Sequence, residues 1–437
     1  MTSIVARVVR QVRALAMVNT QFLTRTEFRT RASELAGAYS PAKLAQSIRI
    51  AENDQADASS RVYEGLTDAS LALALPRLAP IPRRLNLVVP EVREGAVFAG
   101  VATALEVATG LARRLGLELR IVMIVPGNDD AAGARALVRD RFGTDADVVP
   151  RKDLRSATFG DDDLWMATHW TTAHALQVMS RLERVDPDRV IYLIQDYEAG
   201  FNPWSTEFAL ARDTYRAGFI PFVNSTPLAR HLRLADGLDV DDDLVFGPAF
   251  DLDVLQRTHS ARRPGHDVKV LFYARPSKPR NLYRLGLSSL RVAVRDLGDD
   301  REGVTFVSAG ESHRRLPLGY GKTLESVGTL PWSDYFDLLA TSQVVLSLQH
   351  SPHPSHPPFD AAISGAIAIT NEFNGERQGF HESLVAVPAD ADSLGRALAD
   401  SVRRVREEGP RPFSPLPDSR LGGPLAAALD RLAERVG

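Results

Sequence analysis

Short apolar runs bounded by polar turns recur along most of the chain, and between them the apolar positions move to helical spacing. Runs over 85–89, 119–125, 164–167, 190–194 and 219–223 read as strands. Helical patterns cover 98–115, 131–142, 206–216 and 227–234, and one more follows His169. The alternation then restarts, with strands over 268–273, 304–308, 344–348, 366–370 and 384–387 and helices over 281–294, 332–340, 357–364 and 391–406. Short apolar strands alternating with helices predict parallel sheets covered on both faces. Two such units of similar size predict two doubly wound, Rossmann-like domains facing a cleft, over 81–250 and 251–413. The segment 414–437 reads as a closing helix that returns to the first domain, and 1–80 as a mostly helical extension. The proline-rich run 76–84 reads as a stiff connector, and 246–267 as an irregular interdomain connection.

Length and composition agree with this picture. A chain of 437 residues with 44% hydrophobic and 24% charged positions can fill two globular cores. A net charge of −3 argues against a dedicated nucleic-acid binder. The absence of cysteine excludes disulfides, zinc–thiolate sites and thiol nucleophiles. No run approaches the roughly 20 apolar residues of a membrane span. In residues 1–18, Arg7, Arg10 and Arg13 recur at helical spacing among Ile4, Val5, Val8, Val12 and Leu15. They interrupt the apolar core that a secretory signal needs. Such a helix either lies on an anionic membrane surface or packs on its own protein, and the second reading is favoured. The expected location is the cytoplasm, with peripheral contact at the inner membrane face through 1–18 as the variant. Nothing in the pattern bears on oligomeric state.

In doubly wound sheets the residues just past the carboxyl ends of the strands line the ligand crevice. In the first half these are Gly100 beyond the PEVREG loop, Thr168-His169-Trp170, and QDYEAGFNPWSTE at 195–207. Asp196 and Glu198 are suited to steering sugar hydroxyls or taking a proton, and Tyr197 and Trp204 to stacking on a sugar face. Ser205 followed by Glu207 reads as a helix cap with a first-turn acid, and packing is the competing reading of Trp204. In the second half a strand runs into ARPSKPRN, where Arg275, Lys278 and Arg280 could clamp a diphosphate. A solvated basic loop competes with that reading, more aptly for Arg280 than for Arg275. In SLQHSPHPSHPPFDAAISGAIAIT, 347–370, a loop rich in His and Pro opens a helix at Pro357 or Pro358. The free N–H groups there make an anion site, and Asp360 either holds a ribose hydroxyl or favours the helix N-terminus.

Several patterns are set aside. LGYGKT, 318–323, ends like a phosphate loop but lacks its first glycine and a preceding strand. The D-x-D spacings at Asp161–Asp163, Asp241–Asp243 and Asp251/Asp253 read as solvated loops. His350, His353 and His356 have prolines between them and no flanking carboxylate, which is a poor metal site. No G-x-G-x-x-G follows a strand, which weakens an NAD or FAD reading.

YLIQDYEAGFNPWSTEFALARDTYRAGF (192–219), FYARPSKPRN (272–281) and SLQHSPHPSHPPFDAAISGAIAITN (347–371) together resemble the bacterial rhamnosyltransferases of the S-layer and rhamnan-synthesis type. These are WsaF-like members of glycosyltransferase family 4. The resemblance implies a GT-B fold, a nucleotide-sugar donor (dTDP-L-rhamnose) in the C-terminal domain and a glycan or lipid-linked glycan acceptor in the N-terminal one. It implies retaining transfer of a deoxyhexose to a growing surface glycan, with no metal or other cofactor. By position, Arg275 is the diphosphate clamp and joins Asp196 and Glu198 as the catalytic set. Arg275, Lys278, Gly328, Thr329, Leu330, His353, His356 and Asp360 fall on the donor side. Gly100, His169, Trp170, Gln195, Asp196, Tyr197 and Trp204 fall on the acceptor side. The chain departs from the family at Asp360 (usually Glu), His356 (usually Tyr), Thr329 (Lys in one relative) and Pro352, which replaces the first of a glutamate pair. These departures keep two alternatives open: a sugar-nucleotide epimerase or hydrolase on the same frame, and a non-catalytic glycan- or nucleotide-binding scaffold.

Overall fold

The computed structural model describes residue 73 and residues 76–93, 99–125, 130–263, 265–416 and 420–437. Most of the expected N-terminal extension, including its amphipathic segment 1–18, lies outside the described residues. The first half runs β1 (Arg77–Ala79), β2 (Arg84–Val89), α1 (Ala99–Leu115), β3 (Glu118–Met123), α2 (Ala131–Phe142), β4 (Ala146–Val149) and β5 (Thr158–Gly160). It continues β6 (Leu164–Ala167), α3 (Trp170–Arg181), β7 (Val190–Ile194), α4 (Thr206–Thr214), β8 (Ile220–Asn224), α5 (Thr226–Asp236) and β9 (Val245–Phe246). The second half runs α6 (Leu252–Ala261), β10 (Val268–Ala274), α7 (Tyr283–Asp296), β11 (Val304–Gly310), β12 (Leu316–Gly319), β13 (Lys322–Gly328) and α8 (Trp332–Ala340). It ends β14 (Val344–Ser347), α9 (His356–Ile363), β15 (Ile367–Asn371), β16 (Leu384–Val387), α10 (Ala391–Glu408) and α11 (Leu425–Val436).

Two seven-stranded sheets result. The first is wholly parallel, in the order β4-β3-β2-β6-β7-β8-β9. The second, β12-β13-β11-β10-β14-β15-β16, is parallel except for the antiparallel pair β12–β13. In each sheet the strand order reverses beside the first central strand, between β2 and β6 and between β10 and β14. Such switch points open the crevice where α/β proteins bind ligands.

Side-chain patterning explains the layers. Along α1, Ala104, Leu105, Ala108, Leu111 and Ala112 recur at helical spacing and are buried against Leu85, Leu87 and Ile121 of the sheet. Ala428, Leu429, Leu432 and Val436 of α11 join that same core, so the last helix completes the first sheet's packing. Asp130 caps α2 by accepting from the Gly133 N–H at 2.8 Å, and Asp390 caps α10 through the Ser393 N–H at 2.7 Å.

Several expectations are corrected. The connection over 246–267 is ordered: it contains Phe246 of β9 and the helix α6, whose cap is Asp251, accepting from the Val254 N–H at 3.0 Å. The connector 76–84 contains β1, which pairs in parallel with β5. LGYGKT spans the β12–β13 hairpin turn, with Gly319 opposite Lys322. Asp163 is not solvated: it is 1% exposed and accepts from the Arg84 N–H (2.8 Å), Asn86 Nδ2 (2.8 Å) and the Gly160 N–H (2.9 Å).

Gly310 ends β11 at φ +126°, and a Cβ there would overlap the carbonyl oxygen of Ala274 on the neighbouring strand. Gly310→Ala adds backbone strain to that clash. The expected cost is about 2 kcal/mol or more, read as a lower urea midpoint at unchanged slope.

Candidate active site

The carboxyl edges of the two sheets meet, and the meeting point is built from charged and aromatic side chains. Asp196, two residues past β7, accepts through Oδ1 from the Tyr197 N–H at 2.8 Å and from the Ser351 hydroxyl of the second domain. Its Oδ2 lies 3.5 Å from Arg280 Nε, also of the second domain. The Arg280 guanidinium sits 4.3 Å from the centre of the Phe201 ring. Burial raises the Asp196 pKa, while the Ser351 hydroxyl, Arg280, the Tyr197 N–H and Arg377 pull it back. Behind Ser351, the buried Arg377 donates to the Ser351 carbonyl at 2.7 Å and to the Asn371 carbonyl at 2.8 Å. Burial lowers the Arg377 pKa to about 10. A second bridge joins Arg230 of α5 to Glu376 at 2.7 Å. Beside it the His231 ring lies 4.6 Å from Tyr197 and 5.7 Å from Phe373, linking first-domain rings to the loop after β15.

On the first-domain side, His169 is the N-cap of α3, directly after β6 at the switch point. Its Nδ1 lies 3.3 Å from the Thr171 backbone N and 2.8 Å from the Thr171 hydroxyl. Burial lowers its pKa to about 4, so the ring is neutral at physiological pH. Trp170 is buried, and Gln195 reaches back to donate to the Gly100 carbonyl at 2.9 Å. Tyr197 is half-buried, stacked on Tyr215 at 5.8 Å, and burial with the Asp236 charge pushes its pKa up to about 12.

Glu198 does not line the cleft as a reacting group. It is 5% exposed, accepts from the Trp170 N–H, and stands 3.5 Å from the Tyr192 hydroxyl. Burial drives its pKa well up. It anchors the start of α3 rather than joining the catalytic set, because its buried carboxylate is engaged by the Trp170 N–H. Trp204 is 94% exposed, stacked on Phe208 with ring centres 6.0 Å apart, so the packing reading for it fails as well. Ser205 caps α4 through the Phe208 N–H at 3.3 Å and donates to Glu207 at 2.7 Å, as expected of that pair.

On the second-domain side, Arg275 and Lys278 follow β10 at its switch point. Arg275 Nε is 3.9 Å from Glu311 Oε1, beyond hydrogen-bond length. Glu311 accepts from the Ser277 N–H (2.8 Å) and hydroxyl (2.6 Å). Burial raises the Glu311 pKa, but the Ser277 bonds with Arg275 and Lys278 outweigh it and hold the carboxyl below its usual value. Gly328 has φ +71°, Thr329 donates to the Gly310 carbonyl at 2.6 Å, and Leu330 packs on the core beneath α8.

The helix α9 begins at His356, which puts Asp360 in its second turn and removes the first-turn reading of that acid. Burial raises the Asp360 pKa to about 7. Its charge acts on Tyr335, whose buried hydroxyl has no hydrogen-bond partner among the described residues. His353 Nε2 is likewise buried without a partner, and burial with the charges of His356, Arg377 and Arg280 lowers its pKa to about 3. The His356 ring packs 5.1 Å from Phe250. Among the described residues, no three His, Asp or Glu side chains gather as a metal site would require, and no helix is long and apolar enough to cross a membrane.

The residues brought together therefore include several the sequence pattern did not single out: Ser351, Arg377, His231, Phe373 and Tyr335. Arg280, read as the more solvated of the loop's cations, is the one held at the domain junction.

Two doubly wound domains meeting at the carboxyl edges of their sheets define the GT-B fold of nucleotide-sugar glycosyltransferases. HepE from Anabaena, solved in complex with UDP and glucose, superposes with a TM-score of 0.51 at 13% identity, covering 81% of this chain and 95% of that one. An apo structure of OtsA gives 0.51 at 10% identity, covering 80% and 96%. The chain belongs to the WsaF family: the family's N-terminal domain model matches residues 84–226 and its C-terminal domain model residues 268–399. The O-antigen biosynthesis protein RfbC of Myxococcus xanthus is 30% identical over 317 residues, which cover 70% of this chain. The matched region spans only 24% of that relative's length.

Proposed function

We propose that this protein is a glycosyltransferase that moves a deoxyhexose, L-rhamnose from dTDP-L-rhamnose, onto a growing surface glycan, without metal and with retention at the anomeric carbon. The observation that carries the reading is the set of buried, unpartnered polar atoms on the second-domain side. Tyr335 Oη and His353 Nε2 have no hydrogen-bond partner among the described residues, and Asp360 acts on the same tyrosine. Buried polar groups are ordinarily satisfied, so such a set fits the hydroxyls of a sugar ligand. Arg275, too far from Glu311 for a hydrogen bond, keeps its donors for a diphosphate, with Lys278 beside it. Gly328, Thr329 and Leu330 would border the base, and His356 the sugar. An acceptor hydroxyl would approach from Gly100, His169, Trp170, Gln195 and Tyr197, with Trp204 as an outer platform.

In the transfer, the bond from the anomeric carbon to the diphosphate breaks, one to the acceptor oxygen forms, and the acceptor hydroxyl's proton passes to the departing diphosphate. Arg275 offsets the charge growing on the leaving group, and the closed domain junction excludes water that would hydrolyse the donor. The relative named for O-antigen biosynthesis supports the surface-glycan part of the reading.

Calorimetric titration of dTDP, UDP, GDP and ADP, with chelator present, tests it. One diphosphate binds at micromolar concentration, and Arg275→Ala weakens it and slows turnover by about one to two decades. If no diphosphate binds, the donor site is wrong and a scaffold role takes its place. If donor is consumed equally with and without acceptor, the protein is a hydrolase or epimerase.

A further inference from the structure

The turn Glu198–Phe201 touches both sides of the junction, yet none of its side chains is placed to react. At one end Glu198 is fixed from three directions. Its carboxylate accepts from the Trp170 N–H, Tyr192 Oη stands 3.5 Å away, and its own N–H donates to Tyr215 Oη at 3.1 Å. Ala199 is fully buried, so the turn cannot slide over the surface. At the other end the Phe201 ring lies between the two domains' polar groups. The first-domain His169 ring is 6.4 Å from it, and the second-domain Arg280 guanidinium is 4.3 Å from it.

Arg280 needs such a support. Among the described residues its Nε is buried without a hydrogen-bond partner, and its ion pair with Asp196 is 3.5 Å long. An aromatic face attracts a guanidinium without fixing its N–H groups, so the cation is held in plane while its donors remain usable.

We infer that Phe201 is a positioning residue that registers the second-domain cation Arg280 against the first-domain Asp196, with Glu198 anchoring the turn that carries it. This rests on the glycosyltransferase reading, in which Asp196 lies on the acceptor side and Arg280 belongs to the donor-side domain. Besides Arg280, the charged groups facing Asp196 are Arg377 on the loop after β15 and Glu198 on its own turn. Ser351 and the Tyr197 N–H supply its hydrogen bonds. His353, which faces both arginines, is uncharged above about pH 3. Arg280 is therefore the charge on Asp196 that depends on Phe201.

The test compares Phe201→Leu and Phe201→Tyr in the full chain, using nucleotide titration, transfer kinetics and a pH–rate profile. In Phe201→Leu, kcat falls about five- to tenfold while nucleotide affinity is kept. With Arg280 no longer held, Asp196 takes a proton more readily, so the acid limb of the profile moves to higher pH. Phe201→Tyr keeps a ring face and restores both the rate and the limb. If Phe201→Leu loses rate with an unmoved limb, or Phe201→Tyr fails to restore it, Phe201 merely fills space and the inference is overturned. Nucleotide binding and transfer by the parent protein test the glycosyltransferase reading separately, so failure of one is distinguishable from failure of the other.

Discussion

Asp196→Asn is expected to lower transfer by about two decades while leaving nucleotide affinity in place. The amide is nearly the same size, so the loss is electrostatic. Oδ1 accepts from the Ser351 hydroxyl and the Tyr197 N–H, and Oδ2 faces Arg280 Nε. An asparagine can keep one acceptor oxygen, but its NH2 group must then point at a cation that also only donates. The side chains of Arg280 and Asp196 are 25% and 14% exposed, so neither is well screened by solvent. Leaving a buried cation without its partner costs about 3–5 kcal/mol in the driest cases, and about half of that here. The first domain then loses its hold on the second where the reaction would occur. Arg275, Tyr335 and Asp360, the groups proposed to hold the donor, make no hydrogen bond or ion pair with Asp196, so titration with the nucleoside diphosphate should match the parent protein. Parental transfer by Asp196→Asn would show that the acid serves neither the reaction nor its closure.

Asp360→Asn is expected to separate stability from activity with opposite signs. Burial raises this acid from 3.8 to about 7, so the folded protein holds its proton more tightly than the unfolded chain does. A raised acid contributes no penalty below about pH 4 and a growing one as pH climbs through 7. By pH 8 the ionised carboxylate costs about 2–4 kcal/mol of folding stability. Asparagine never ionises, so Asp360→Asn should melt higher than the parent at pH 8, with the difference vanishing toward pH 4. Transfer should fall about tenfold or more, because a carboxylate accepting from sugar hydroxyls is replaced by a weaker neutral acceptor. Equal melting temperatures at pH 8 would mean the acid is solvated. Unchanged transfer would place the donor sugar elsewhere.

The two-domain architecture was legible because central strands of parallel sheets are buried on both faces and read as short continuous apolar runs. Val190–Ile194 and Leu164–Ala167 were found at their observed limits for that reason. Elements that were missed lie at edges or are short. The outer hairpin strands LPLG and KTLESVG each bury few side chains, and the three-residue TFG strand holds too few positions to show an alternation. The helix LDVLQRTHSA is hidden by its cap, since Asp251 and Asp253 have the spacing of an acidic pair in an irregular linker. Site residues divided in the same way. Asp196, His169 and Arg275 follow strands that could be recognised, so their addresses were readable. Ser351 and Asp196 meet only when two sheets 155 positions apart in sequence close on one another. No local pattern carries that information, and for the same reason Arg280 looked like an ordinary solvated cation.

The last helix has a consequence for how the chain is made. The second sheet, its helices and its core lie on one contiguous stretch that ends at Leu421, so the second domain can fold as soon as that stretch clears the ribosome. The first domain is synthesised earlier but finishes later, because its core lacks Ala428, Leu429, Leu432 and Val436 until α11 has been made. During that interval the part of the first domain's core that α11 covers is open to water, which exposes the nascent chain to aggregation and to chaperones.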